Sequence, residues 1–241
     1  MKYIVINRDC DEQRMNEFTR HNEHVSDIRR FSAIDGNSLN MEELIESNVI
    51  APDISYKKGA LGSAMSHVLL WNSVADYGET ACIFEDDAIL CRNFVDESQK
   101  VLSQLGNNWD IVLWGNNYDT SVLFGMGEGR GVALATFSQD SVVKNSDKFK
   151  KIDVSTHPFR LFRTLGICGY AISPQGARKL TSFCIPLQNS VFFHSQLNRF
   201  LQNTSIDHVM TEKYKDMDSY ICIPPLCITE NSIESSTILN S

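Results

Sequence analysis

The sequence lacks features that would place it in several common classes of protein. Its 22 basic residues are outnumbered by 30 acidic ones, and the resulting net charge of -8 disfavours nucleic-acid binding and a polybasic membrane anchor. No apolar run approaches the length of a membrane span, and residues 1–7 form too short an apolar segment for a secretory signal. We therefore expect a cytoplasmic protein whose association with membranes is at most peripheral.

Cysteine motifs are missing as well. The 7 cysteines include no C-x-x-C pair, and an odd number cannot all pair within one chain. Cys222 and Cys227 have no histidine nearby, which disfavours a zinc site at that position. We expect reduced and mostly buried thiols, as is usual in the cytoplasm.

The glycine-rich stretch from Gly125 to Gly131 matches neither of the common phosphate-binding signatures. It does not open an apolar helix, and it has no Lys-Ser or Lys-Thr ending. A P-loop and a dinucleotide-binding loop are therefore both excluded by the sequence context. We interpret the stretch as a mobile loop near the functional site.

The length and composition of the chain predict a single domain. A chain of 241 residues with 42% hydrophobic residues can form one large core. Internal repeats and coiled-coil heptads are lacking. We expect one domain over residues 1–229, followed by a polar, serine-containing tail over residues 230–241 that is partly disordered.

Periodicity and turn signals predict an α/β fold. Strands are predicted at 2–7, 28–34, 81–84, 109–115, 132–137, 149–154, 168–173 and 219–223. Helices are predicted after residue 11 and at 59–77, 94–105, 174–183, 192–201 and from 205 onward. Helix and strand alternate between residues 59 and 115, which indicates a mixed central sheet flanked by helices.

One stretch carries the strongest chemical signal. The apolar run that begins at Ala81 ends abruptly in Glu85, Asp86 and Asp87. Unpaired carboxylates are costly to bury, so these acids should lie at the mouth of a cavity, at the carboxyl end of a buried strand. Three adjacent carboxylates repel one another unless a hard cation such as Mg²⁺, Mn²⁺ or Ca²⁺ joins them. The alternative is a solvated acidic turn without a ligand.

Several stretches together resemble glycosyltransferase family 25, which includes bacterial lipooligosaccharide galactosyltransferases and the collagen galactosyltransferases. The stretches that carry this resemblance are residues 3–7 (YIVIN), 33–36 (AIDG), 59–71 (GALGSAMSHVLLW), 83–87 (IFEDD), 109–115 (WDIVLWG), 170–180 (YAISPQGARKL) and 206–207 (ID). Each stretch is weak on its own, but their order and spacing are fairly specific. The resemblance covers nearly the whole chain.

The resemblance implies a GT-A-like fold, a UDP-sugar donor, usually UDP-galactose, and a divalent metal ion, usually Mn²⁺, with Mg²⁺ as the other candidate. The acidic motif of the family maps onto the triplet that ends the strand. Asp87 is then the main metal ligand, Glu85 assists it directly or through water, and Asp86 orients the donor or the neighbouring backbone. The acceptor is a glycan or glycolipid such as lipooligosaccharide, which would bring the protein to the inner face of the inner membrane.

Members of the family that transfer β-galactose invert the anomeric centre, so the acceptor hydroxyl needs a general base. Asp207 matches the Ile/Val-Asp position of the family and is our candidate for the base. It could equally do no more than cap a helix. Other acids, including Asp119, remain alternatives.

The resemblance also suggests binding residues near the ends of the first two strands. Asn7, Arg14 and Asp35 are placed beside the nucleotide, although Arg14 could be a solvated helix residue and Asp35 a turn former. His67 could reach the donor from its helix, or could be a hydrogen-bonded core residue. Tyr170 could offer an aromatic surface to the acceptor sugar, or could pack in the core.

Two other functions are compatible with these residues. Paired carboxylates also serve glycoside cleavage, so a metal-dependent glycosidase or nucleotide-sugar hydrolase is one alternative. The contiguous spacing of the three acids favours metal binding over a pair of acids that face each other across a sugar. A module that binds nucleotide sugars without catalysis is the second alternative.

Overall fold

The computed structural model describes residues 1–194 and 197–230. The strands are β1 (Lys2–Asn7), β2 (Ile28–Ser32), β3 (Ala81–Glu85), β4 (Ala88–Leu90), β5 (Ile111–Leu113), β6 (Ser121–Gly125), β7 (Val132–Thr136), β8 (His157–Arg163), β9 (Gly169–Ile172), β10 (Val191–His194), β11 (Arg199–Gln202), β12 (Ser219–Ile223) and β13 (Cys227–Thr229). The helices are α1 (Glu12–His21), α2 (Met41–Glu46), α3 (Lys58–Tyr77), α4 (Phe94–Leu105), α5 (Gln139–Phe149), α6 (Pro174–Cys184) and α7 (Ile206–Lys213).

A mixed sheet organises the described part of the chain. Nine strands follow the order β2-β1-β3-β9-β5-β12-β8-β6-β7. β1, β2 and β3 are parallel, whereas β9 is antiparallel to both of its neighbours, β3 and β5. The predicted α/β fold with a mixed central sheet flanked by helices is therefore confirmed. Because β9 runs backwards, its amino end lies beside the carboxyl ends of β3 and β5.

The sheet is covered on both faces because successive side chains of a strand point to opposite sides. In β3, Ile83 joins the cluster that contains Trp71 of α3 and residues of α6 and α7. Its neighbour Phe84 joins the other cluster, with Phe94 of α4 and Trp114. Both faces of β3 are thus apolar, which accounts for its continuous apolar sequence and leaves its acids only one exit, at the end of the strand.

Helix α3 lies unusually close to the loop that follows β2. A Cβ atom on Gly62 would lie 2.5 Å from the carbonyl oxygen of Ile34, and one on Gly36 would lie 1.7 Å from the carbonyl oxygen of Lys58. Glycine at these two positions therefore allows backbone to approach backbone. Although α3 is 20 residues long, no helix among the described residues is both long enough and apolar enough to cross a membrane.

Two predicted elements are wrong. Residues 192–201 were expected to be helical, but residues 192–194 and 199–201 lie in the antiparallel strands β10 and β11, in which Phe193 pairs with Phe200. Aromatic residues on both strands favour this pairing, and Asn198, at a φ of 47°, lies in the turn. Residues 149–154 were expected to form a strand, but Phe149 ends α5, which begins after Ser138, whose hydroxyl accepts a hydrogen bond from the backbone of Ser141.

The glycine-rich stretch differs from expectation, and Glu230, at the start of the predicted tail, makes contacts with the domain. Residues 126–131 join β6 to β7 at the edge of the sheet, away from β1 and β3, and none of them lines the cavity described below. Glu230, expected to begin the tail, is attached to α5, because its carboxylate accepts a hydrogen bond from Ser146 and its carbonyl accepts one from Gln139. The rest of the predicted tail, residues 231–241, lies outside the described residues.

Candidate functional site

A cavity of about 390 Å³ opens at one end of the central strands, where β1, β3 and β5 end and β9 begins. Its volume lies within the range of small-molecule sites, about 300–1,000 Å³. The acids Glu85, Asp86 and Asp87 line it at the exit of β3, as the sequence predicted for the mouth of a cavity. Asp207 lines it from the start of α7, a separate element.

Asp86 is held by two side chains that approach it from the first β-α unit. Asn7, at the end of β1, donates from Nδ2 to Oδ2 of Asp86 over 2.7 Å. Arg14, in α1, donates to Oδ1 of Asp86 from Nε over 2.9 Å and again from a terminal nitrogen. The guanidinium of Arg14 thus compensates an acid of the protein itself while Arg14 also lines the cavity, so it is not merely a solvated helix residue.

Asp87 has a different environment. Its Oδ1 atom is buried and has no hydrogen-bond partner among the described residues, while its side chain as a whole is 35% exposed and lines the cavity. Burial and the neighbouring Glu85 raise the pKa of Asp87 to about 7, against the opposing effect of Arg14. A carboxylate oxygen that is buried without a partner is costly, so this atom is suited to a cationic ligand.

Glu85 lies next to a histidine that belongs to a buried network. The Nε2 atom of His67 lies 3.8 Å from Oε1 of Glu85, and Nδ1 of His67 lies 2.8 Å from the hydroxyl of Tyr170. His67 lines the cavity but is almost completely buried, so the core alternative describes most of its surroundings. Tyr170 is fully buried and does not line the cavity, which corrects the expectation that its ring faces an acceptor sugar.

Asp207 is held in place without capping its helix. Its Oδ2 atom accepts a hydrogen bond of 2.9 Å from the backbone N–H of Gly166, and its Oδ1 atom accepts one from the hydroxyl of Ser205. Gly166 has a φ of 86°, and a Cβ atom there would collide with Asn117. Asp207 therefore connects α7 to the loop before β9, and the simple capping alternative does not describe its contacts.

Asp35 does not reach the cavity. Its carboxylate accepts a hydrogen bond of 2.9 Å from the backbone of Asn37, and this interaction lowers the pKa of Asp35. Its neighbours Ile34 and Gly36 line the cavity, but Asp35 does not. The turn-forming alternative therefore applies, because the side chain is used by its own turn.

Several residues of the cavity wall carry no functional signal that the sequence analysis used. Asn117 follows β5 and lines the cavity together with Asp119, which had been kept only as an alternative acid. Polar residues directly after a buried strand were a usable signal, since the same pattern had identified the acids after β3. His208 also lines the cavity, and its Nδ1 atom accepts a hydrogen bond from the backbone of Thr204 over 3.1 Å. No local pattern distinguished this histidine.

The charge of the cavity is suited to a cation. The acids that line it are Asp11, Glu85, Asp86, Asp87, Asp119 and Asp207, and the arginines are Arg8 and Arg14. Six carboxyl groups against two guanidiniums leave a formal excess of four negative charges when all six acids are ionised. No group of three or more metal-ligating side chains is assembled among the described residues.

The chain was compared with known proteins. A model of glycosyltransferase family 25, described as LPS biosynthesis protein, matches residues 1–204. No curated protein matches the sequence. Similar solved structures include a mannose-1-phosphate geranyltransferase from Thermus thermophilus (12% identity, 90% of this chain and 57% of that chain, TM-score 0.37). They also include an inositol-1-phosphate CTP transferase from T. maritima (11% identity, 91% of this chain and 84% of that chain, TM-score 0.39).

These two kinds of likeness differ in what they support. The chain spans 57% of the length of the first structure, and TM-scores below 0.5 support no inference about function. The family model, in contrast, covers most of the 241 residues and includes β1, α3 and the acids that follow β3. The protein therefore belongs to glycosyltransferase family 25.

Proposed function

We propose that the protein is a metal-dependent, inverting hexosyltransferase that transfers galactose from UDP-galactose to a glycan acceptor such as lipooligosaccharide. The observation that carries this proposal is Asp87, which lines a cavity with a formal excess of four negative charges and whose buried Oδ1 atom has no hydrogen-bond partner in the described part of the chain. A nucleotide diphosphate is itself anionic, so such a cavity would repel it without a cation. The family assignment supplies the reaction class, and the charge supplies the need for a metal ion.

The donor would bind on the side of the cavity formed by β1, α3 and the exit of β3. Asp87 and Glu85 are the residues that would hold Mn²⁺ or Mg²⁺, because Asp86 is already engaged by Asn7 and Arg14. When bound, the ion would act as a Lewis acid that stabilises charge on the departing diphosphate, an effect worth several kcal/mol. The protein contributes by pairing Asp86 with Arg14, which leaves Asp87 to bind the metal ion.

The acceptor would bind beside Asp207. A general base must be fixed in direction and must retain a lone pair for the incoming proton. The hydrogen bonds from Gly166 and Ser205 fix the carboxylate of Asp207, and each of its oxygens keeps accepting capacity beyond the one bond shown. Asp207 would therefore take the proton of the attacking hydroxyl as the new glycosidic bond forms.

The proposal is tested by measuring transfer and hydrolysis side by side. UDP-galactose, UDP-glucose and their N-acetyl forms are incubated with a panel of glycan acceptors, with Mn²⁺ or with EDTA, and both sugar transfer and free sugar are quantified. We expect transfer with Mn²⁺ only, and slow release of free sugar when no acceptor is added. Rapid release without an acceptor would instead identify a hydrolase. Donor binding without turnover on any acceptor would identify a non-catalytic binding module.

A further inference from the structure

Three buried side chains that the proposed mechanism leaves without a role form a path from the core to the cavity. The Nε1 atom of Trp71 lies 2.8 Å from the hydroxyl of Tyr170, and that hydroxyl lies 2.8 Å from Nδ1 of His67. All three side chains are at most 1% exposed. The far nitrogen of His67 lies 3.8 Å from Oε1 of Glu85, at the cavity.

The chemistry of the N–H and O–H groups sets the direction of these hydrogen bonds. An indole N–H can only donate, so the oxygen of Tyr170 accepts from Trp71. The proton of the Tyr170 hydroxyl then has one acceptor among the contacts of that oxygen, which is Nδ1 of His67. The opposite arrangement would leave a buried O–H group without a partner, which is costly.

The tautomer of His67 follows from this direction. If Nδ1 accepts, a neutral imidazole carries its proton on Nε2, the nitrogen that faces Glu85. An N–H group towards a carboxylate is attractive, whereas a nitrogen lone pair in the same place would be repelled. The contact with Glu85 agrees with this tautomer, but at 3.8 Å it is longer than a hydrogen bond, so the hydrogen bond from Tyr170 is the contact that fixes the tautomer.

We propose that Tyr170, oriented by Trp71, is a positioning residue that holds His67 in the Nε2–H tautomer and thereby directs the carboxylate of Glu85. The part of this inference that concerns a metal ion rests on the proposed function. Partners of this kind around metal-binding side chains typically change metal affinity about 10–100-fold when they are removed.

The tautomer can be measured in the metal-free protein by NMR of ¹⁵N-labelled histidine above neutral pH. The signals of His67 are assigned by their loss in His67→Gln. We expect an unprotonated Nδ1 and a protonated Nε2 in the wild type, and a loss of this single tautomer in Tyr170→Phe. A protonated Nδ1 in the wild type, or an unchanged tautomer in Tyr170→Phe, would overturn the proposal.

Tyr214→Phe is a matched control, because Tyr214 is also fully buried and its hydroxyl has no hydrogen-bond partner among the described residues. We expect Mn²⁺ affinity, measured by electron paramagnetic resonance, to fall about 10-fold in Tyr170→Phe and to stay at the wild-type value in Tyr214→Phe. Wild-type affinity in both variants would refute the positioning of Glu85. A wild-type protein that bound no Mn²⁺ would refute the proposed function and the metal-directed part of this inference, while the NMR result would still decide the tautomer.

Discussion

Three adjacent acids at the exit of β3 have three different environments. Asp86 is paired with Arg14 and Asn7, Glu85 lies beside His67, and Asp87 has one buried oxygen without a partner among the described residues. The charge of the Asp86 carboxylate is therefore compensated by Arg14 within the protein. Asp87 is the acid of the three that an added cation would stabilise most.

Asp87→Asn should abolish metal-dependent transfer, with a loss of about 100-fold or more, because an amide is a much weaker ligand for a hard cation. The fold should persist, since the side chain lines the cavity and lies outside the core. Transfer is measured with Mn²⁺ and UDP-galactose. Asp96→Asn, an exposed acid of α4, is the control and should leave transfer unchanged. Unchanged turnover in Asp87→Asn would refute the assignment of the metal ligand.

The same carboxyl should also affect the stability of the metal-free protein. Its pKa is about 7 in the folded state and about 3.9 in an unfolded chain. Between these values the folded state binds the proton more tightly, so the free energy of unfolding falls as the pH rises from about 4 to about 7. Asp87→Asn removes the contribution of this carboxyl to the pH dependence of the free energy of unfolding. We therefore expect its thermal midpoint in EDTA at pH 8 to equal or exceed that of the wild type, and a lower midpoint would contradict the pKa direction.

Asp207→Asn should lower kcat by about 10²–10⁴-fold and leave the KM for the donor nearly unchanged, because a general base acts in the transition state. The amide oxygen can still accept from the backbone of Gly166, so the loop before β9 should keep its place. Asp119→Asn, another acid of the cavity, serves as the comparison in the same steady-state assay. A loss of thermal stability with unchanged kcat would show that Asp207 is structural only.

At the scale of elements, the site depends on how closely α3 approaches the loop after β2. That loop provides Ile34 and Gly36 to the cavity wall, and α3 provides Ser63 and His67. Gly36 and Gly62 allow the two backbones to touch. The shape of the donor side is therefore determined by a contact between backbones, which side-chain rearrangement cannot relieve.

Gly62→Ala should consequently push α3 away from this loop. The added Cβ would lie 2.5 Å from the carbonyl oxygen of Ile34, and overpacking of this kind typically costs about 1–3 kcal/mol of unfolding free energy. Donor affinity should fall as well, because α3 and the loop after β2 both form the wall of the cavity on the donor side. Denaturant unfolding and donor titration measure the two effects. Ser73→Ala, on the exposed side of α3, should change neither, and a Gly62→Ala protein with wild-type values would refute the contact.

At the scale of the whole molecule, the net charge of -8 and the acidic cavity act together against anionic ligands. Screening at physiological ionic strength extends over about 8 Å, so the acids inside the cavity dominate what a bound nucleotide experiences. Binding of the donor should therefore be coupled to binding of the metal ion.

UDP should stabilise the protein against heat in the presence of Mn²⁺ but very little in the presence of EDTA. In EDTA, added NaCl should improve UDP binding, because salt screens the repulsion between the diphosphate and the acids of the cavity. A ligand at about 100 times its dissociation constant stabilises the folded state by about 2.7 kcal/mol, which a thermal-shift assay detects readily. Uridine, which lacks phosphates, is the control and should depend weakly on metal and salt. Equal stabilisation by UDP with and without Mn²⁺ would contradict the proposed role of the cavity charge.

The sequence by itself determined the features that depend on local periodicity. It predicted β3 with its terminal acids, α3, α4 and the mixed α/β class, because apolar runs and helical spacing are properties of neighbouring residues. Its errors at residues 149–154 and 192–201 fell where polar or aromatic segments fit more than one element. In residues 192–194 and 199–201 the pairing of Phe193 with Phe200 made the choice, whereas residues 149–154 follow from where α5 ends.

Only the tertiary structure decided which acid keeps an unpartnered oxygen among the described residues. Arg14 and Asp86 are 72 positions apart, and Tyr170 reaches His67 across 103. These pairings follow from the order of strands in the sheet and from the reversal of β9, which brings Gly166 beside Asp207. A pattern along the chain can place a carboxylate at the end of a strand, but its partners are set by distances that exist only after folding.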